Sequence, residues 1–167
     1  MFKKSGWIFI DKPIGLTSNS LLQKVRLNLD KVKAGFVGTL DTLASGCLPI
    51  AICHATKVIN LVEKVNKEYI FTILWGKQTD TGDLEGKIIS EKFFFPSNKN
   101  IQRILSNFIG NIKQTPPKYS SLKINGFRAY SLARNEVNFE LKKREVRIFS
   151  LKLLRQLSLE RAEFYVK

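Results

Sequence analysis

The sequence predicts an α+β fold: a mixed, largely antiparallel sheet flanked by helices. Three observations predict it. Runs of strand length, rich in β-branched and aromatic residues, recur along the chain. Segments with a helical apolar period are interspersed among them. Several strands follow one another without an intervening helix, notably near the C-terminal end, which favours antiparallel neighbours. At 167 residues and 44% hydrophobic composition, the chain has about the length of one domain and enough apolar side chains for a core.

The elements follow in order. "GWIFIDKP" reads as a strand stopped by Pro13. Ser18 is placed to cap a helix that carries Leu21, Leu22, Val25 and Leu29 on one face. A glycine-rich loop, "AGFVGTLDTLASG", occupies 34–46 and leads into the apolar run "CLPIAIC". Residues 54–65 read as helical. "KEYIFTILWG" is a strand, "KQTDTGDLEG" a turn-rich connection and "KIISEK" a short returning strand. Ser97 caps a helix bearing Ile101, Leu105, Phe108 and Ile109, with Gly110 as its stop. The stretch "QTPPKYSSLKINGFRAYSLARNE", 114–136, is the longest irregular one, with a short helix expected near its end. From Val146 onwards two strands are expected. In the last, Ala162, Phe164 and Val166 alternate with Arg161, Glu163 and Lys167, and the pattern runs to the final residue, as in a chain cut short there.

Lysine and arginine total 28 against 14 acids, a formal charge of +14, which suits a polyanionic partner, nucleic acid first among them. The lysines are spread along the chain rather than massed beside an apolar helix, so no membrane partner is expected. No apolar run reaches the roughly 18 residues that span a bilayer. The apolar stretch of "MFKKSGWIFIDKP" stops at Asp11, too short for a signal peptide. Cys47, Cys53 and His54 lack the spacing of a zinc site and a fourth ligand, so no metal is expected, and the two cysteines fit a reducing cytoplasm.

The acids are few enough to audit. Asp30 falls at a helix end and Asp11 at a strand end, where solvation and turn chemistry account for them. "DTG" at 80–82 matches a protease signature, but follows Lys77, Gln78 and Thr79 rather than a buried apolar strand. Asp80, Asp83 and Glu85 depart from the spacing of an EF-hand loop, which leaves a polar turn. Asp41 stands among Gly35, Gly38 and Gly46, which permit unusual backbone conformations and close ligand approach. The GK[ST] ending of a phosphate loop is absent. Spacing alone leaves two readings, a structural turn or a catalytic carboxylate. Within 114–134, Lys118, Tyr119, Lys123, Phe127, Arg128, Tyr130 and Arg134 interleave cations with aromatics. That composition fits an RNA-binding surface or an ordinary basic loop.

Five motifs in one order resemble the bacterial tRNA pseudouridine synthase B family. The family's "LDKPxGxTS" appears as "IDKPIGLTS", and "GHTGxLDPxAxGxLPI" as "GFVGTLDTLASGCLPI". "ATK" appears at 55–57, the "KxY" strand with "GxxTDTxDxxG" as "KEYIFTILWGKQTDTGDLEG", and "QxPPxYSAxKxxGxxAYxxAR" as "QTPPKYSSLKINGFRAYSLAR". The resemblance covers nearly the whole chain. It implies a partial pseudouridine synthase catalytic domain over 1–167, incomplete at its C-terminus and without the later RNA-binding domain. It implies isomerisation of uridine-55 in the tRNA T-loop, with the base flipped out of the loop and no cofactor. A cytoplasmic monomer binding the T-arm is expected.

By position, Asp41 takes the place of the family's catalytic aspartate, which acts as a nucleophile on sugar or base. Tyr69 matches the tyrosine that packs against the flipped base. Lys12 and Pro13 match a motif that shapes the core near the site, and Lys12 is counted among the substrate-binding residues. Lys118, Tyr119, Lys123, Arg128 and Arg134 match the segment that grips the T-arm. Phe36 stands where the family has a histidine that contacts RNA, and Thr42 where it has proline. The family's "KGTYIR"-type motif, whose arginine pairs with the catalytic aspartate, would follow Lys167. Impaired turnover is therefore expected, with an inactive tRNA-binding or tRNA-folding module of the same fold as the alternative.

Overall fold

In the computed structural model, which describes residues 4–120, 122–135 and 137–167, the first strand runs over Gly6–Lys12 (β1). It ends where Pro13, which has no amide hydrogen to give the ladder, must follow. Ile8, Ile10 and Lys12 are more enclosed than Phe9 and Asp11, the two-residue alternation of a strand with one covered face. β1 pairs antiparallel with β3 (Gly46–Ile52), from Gly6 opposite Ile52 to Lys12 opposite Gly46. The short β2 (Ala34–Phe36) lies on the other side of β3. As the central strand, β3 carries most of this core, with Leu48, Ile50, Ala51 and Ile52 all buried.

Helix α1 (Ser18–Asn28) turns Leu21 and Leu22 inward, the face expected from spacing. Its cap is not Ser18 but Thr17, whose hydroxyl accepts from the Ser20 amide at 3.0 Å. The helix expected over 54–65 is instead a 3-10 turn, Cys53–Val58, followed by the single turn α2 (Ile59–Val62). No side chain caps the start of either, so the segment lacks the contacts that would lengthen it.

The chain packs as two compact units, Met1–Asn66 and Lys67–Lys167. A run of exposed residues, 63–68, joins them. In the second unit β4 (Tyr69–Leu74) pairs with β12 (Arg161–Val166), which pairs on its other side with β11 (Leu151–Gln156). Helix α3 (Asn98–Leu105) packs its Ile101 into the core with Ala162 and Phe164. Ser97 caps it as expected, accepting from the Asn100 amide at 3.3 Å. Phe164 stacks on Phe71 directly across the ladder, ring centroids 5.5 Å apart, and meets Trp75 edge-on at 6.1 Å. Truncating such a side chain costs about 3–5 kcal/mol.

Smaller ribbons complete the second unit. β5 (Lys77–Thr79) pairs with β6 (Ile88–Glu91), the returning strand. The expected helix is shorter than its apolar period: α3 ends at Leu105 and a 3-10 turn, Ser106–Phe108, follows. Gly110 thus opens β7 (Gly110–Gln114), which pairs with β10 (Arg144–Ile148), and three strands rather than two occupy the tail. The stretch expected to be irregular holds a hairpin of β8 (Lys123–Ile124) and β9 (Phe127–Arg128), followed by α4 (Ala129–Arg134). Its turn is Asn125–Gly126, both at positive φ (+49° and +89°), the geometry that matches strand twist. The fold is α+β as predicted, but every described strand pairing is antiparallel, divided among two three-stranded sheets and three two-stranded ribbons. No described helix is long and apolar enough to cross a membrane.

Candidate active site

Asp41 lies in the loop between β2 and β3, with its side chain exposed. Gly38 (φ +69°) and Gly46 (φ +131°) bracket this loop in conformations that side chains resist. Gly35 is small for another reason: a Cβ there would come within 2.9 Å of the Ile59 side chain. The glycines thus shape the loop at both ends and let it turn back against the strands.

Two tethers hold the peptides on either side of Asp41. The Ser18 hydroxyl donates to the Leu40 carbonyl at 2.9 Å and accepts from the Leu40 amide at 3.0 Å. The Gly15 amide donates to the Thr42 carbonyl at 2.8 Å. A turn within the loop, Ala44 amide to Asp41 carbonyl at 3.0 Å, closes it locally. Both tethers come from the segment after β1, so the motifs "IDKPIGLTS" and "GTLDTLASG" meet around one carboxylate. No hydrogen bond or ion pair among the described residues engages that carboxylate.

Lys12, expected among the substrate-binding residues, has no solvent exposure. Its ammonium donates to the carbonyls of Pro13 at 3.0 Å and Leu16 at 2.7 Å. These contacts make it a brace of the segment that bears Gly15 and Ser18. A lysine can sit on the covered face of a strand only when its charge is satisfied in this way. Phe36 is half-buried at the end of β2, opposite Ile50.

The remaining candidates belong to the second unit. Tyr69 opens β4, opposite Val166, and is 46% exposed. Lys118 is exposed and Tyr119 half-buried. Lys123 and Arg128 face each other across the β8–β9 hairpin, a like-charge pairing that costs stability unless an anion is near. Exposed Phe127 adjoins them. The Arg134 guanidinium lies 5.9 Å from the centre of the Tyr130 ring. The "DTG" segment resolves as a turn: Asp80 accepts from the Lys87 amide at 2.8 Å, and Asp83 from the Thr81 hydroxyl at 2.6 Å and the Glu85 amide at 2.9 Å. Its carboxylates serve their own loop. Among the described residues no group of three or more His, Cys, Asp or Glu side chains is placed to hold a metal.

Sequence reasoning missed Ser18 and Gly15 as parts of the site. The signal was present in "IDKPIGLTS", but the serine read as a helix cap because Thr17 and Ser18 are both capping residues.

The chain is similar to known proteins along most of its length. The chain is 45% identical over 162 residues to the tRNA pseudouridine synthase B of Ehrlichia chaffeensis, covering 96% of this chain and 55% of that protein. It is 47% identical over 150 residues to the tRNA pseudouridine synthase B of Rickettsia bellii, covering 90% of this chain and 51% of that protein. The chain therefore spans about half the length of these curated relatives. Among solved structures, the crystal structure of a Cbf5–Nop10–Gar1 complex contains a chain that superposes with a TM-score of 0.67 at 27% identity, over 96% of this chain and 38% of that one. The family profile described as TruB family pseudouridylate synthase (N terminal domain) matches residues 24–167. The chain belongs to this family.

Proposed function

We propose that the chain is the catalytic part of a tRNA pseudouridine synthase, converting uridine-55 of the T-loop to pseudouridine with Asp41 as nucleophile. The observation that carries this reading is the exposed Asp41 carboxylate on a loop pinned on both flanks, at Leu40 and Thr42. Loops that carry chemistry need a rigid support, and this one has it.

In this reaction the bond from the ribose anomeric carbon to the base nitrogen breaks. The base turns, and the same sugar carbon bonds to carbon 5 of the ring. The ring carbon gives up its proton and the nitrogen gains one. No atom or electron is gained overall, so the chemistry requires no cofactor. The aspartate attacks either the sugar or the base. The target base must leave its stack to be reached. Phe36 offers a ring for stacking, and Tyr69 packs against the flipped base. Lys118, Lys123, Arg128 and Arg134 meet the phosphates of the T-arm, with Tyr119 among them. Lys12 contributes by bracing the loop. The protein acts as a monomer in the cytoplasm.

The test is an assay of an unmodified tRNA transcript with the chain alone and with the chain followed by the remaining sequence of the Ehrlichia relative. Pseudouridine at position 55 in either form, absent with Asp41→Asn, is expected. Binding of tRNA without pseudouridine in both forms would replace this reading with that of a binding module.

A further inference from the structure

We propose that Ser18 is a positioning residue for Asp41, acting by locking the Leu40 peptide next to it. The inference rests on the reading of Asp41 above. Ser18 is 2% exposed, and its single hydroxyl both donates to and accepts from the same backbone unit, 22 residues away in sequence. A hydroxyl has one donor and two acceptor positions. Using a donor and an acceptor on one residue's amide and carbonyl fixes the orientation of that residue's backbone. The peptide bond that follows leads directly into Asp41.

The helix does not need this hydroxyl. Thr17 already caps α1, and alanine at an early helical position is at least as favourable as serine. The loop, by contrast, has little else to hold it. Thr39, Asp41 and Leu43 are all exposed, so packing does not fix their backbone. The Gly15 tether on Thr42 restrains the other side. Ser18 is thus the one side chain among the described residues that fixes the peptide preceding the carboxylate.

Two measurements test this. The first is amide hydrogen exchange in the chain itself. The Leu40 amide is expected to exchange slowly, and Ser18→Ala to release it while the amides of β1 and β3 stay protected. The second is single-turnover kinetics in whichever form turns over. Ser18→Ala is expected to lower the rate on the order of 100-fold, since a displacement of about 1 Å suffices for that, with tRNA affinity unchanged. Ser18→Thr, which keeps the hydroxyl, is expected to restore most of the rate. Rapid exchange of Leu40 in the unsubstituted chain, or a wild-type rate in Ser18→Ala, would overturn the proposal. So would a loss of tRNA affinity parallel to the loss of rate, which marks general unfolding of the loop. Turnover by Asp41→Asn would instead sink the functional reading, and the exchange measurement would still decide the clamp.

Discussion

The Lys12 ammonium, out of contact with solvent, donates to the Leu16 carbonyl at 2.7 Å, four residues along the chain. With its second bond to Pro13 it folds the segment after β1 into the shape that presents Gly15 and Ser18 to the Asp41 loop. Lys12→Met keeps the length and removes both bonds, leaving two carbonyls unsatisfied. The variant is expected to be less stable by about 1–3 kcal/mol, the range for leaving a buried acceptor unsatisfied. A lower urea midpoint at unchanged slope would show it; an unchanged midpoint would mean the bonds do not brace the loop.

The net charge of +14 predicts steep salt dependence of tRNA binding through release of counterions. Individual contributions should separate by exposure. Lys123→Ala, on the exposed hairpin, is expected to reduce the slope of log affinity against log salt by about 1. Lys12→Met is expected to leave that slope unchanged, because its ammonium meets carbonyls and not phosphates. Titrations at several salt concentrations decide both, and a flat response in the unsubstituted protein would contradict the electrostatic account.

Lys167 bonds Glu68 at 2.8 Å beside the β4–β12 pairing. Hydrogen bonds from Lys167 and then Tyr165 hold the Glu68 carboxyl below the ordinary carboxylate value. The bond to Glu68 raises the ammonium of Lys167 above its ordinary value in turn. A depressed carboxyl contributes stability above its unfolded value and loses it as pH falls through the lower folded value. A raised ammonium contributes below its unfolded value and loses it as pH rises through the higher folded one. The groups are solvent-exposed, so the effect on stability is small and screened. The sharper expectation is local: in Lys167→Ala the Glu68 carboxyl, followed by NMR, titrates closer to an ordinary glutamate. An unmoved titration would show that the ion pair does not persist in solution.

Much of this architecture was legible in the sequence where local pattern and tertiary burial agree. Ala162 and Phe164 alternate with charged neighbours and are buried in the central strand of their sheet. Ser97, directly after Pro96, reads as the cap of the apolar period that follows, and it caps. Legibility failed where two residues could fill one role. Thr17 took the cap and left Ser18 for a contact 22 residues distant, which no local pattern encodes. The Asn125–Gly126 turn carried a hairpin signal, but two-residue strands are too short to show alternation. β7 and β10 find each other across 30 residues, and their ribbon arises from that pairing rather than from a buried face. Asp41 could be singled out because it is the one carboxylate in its glycine-rich run. The tethers that present it could not be read from its neighbours.

The most direct test of the central claim replaces Asp41 with asparagine. The substitution preserves size and leaves the Leu40 and Thr42 tethers in place, since neither uses the Asp41 side chain. It removes the nucleophile alone. Pseudouridine at position 55 of an unmodified tRNA is measured in parallel with tRNA affinity, for the aspartate and asparagine forms. The account predicts retained affinity and no pseudouridine in Asp41→Asn. Pseudouridine formed by Asp41→Asn at the rate of the aspartate form would contradict it.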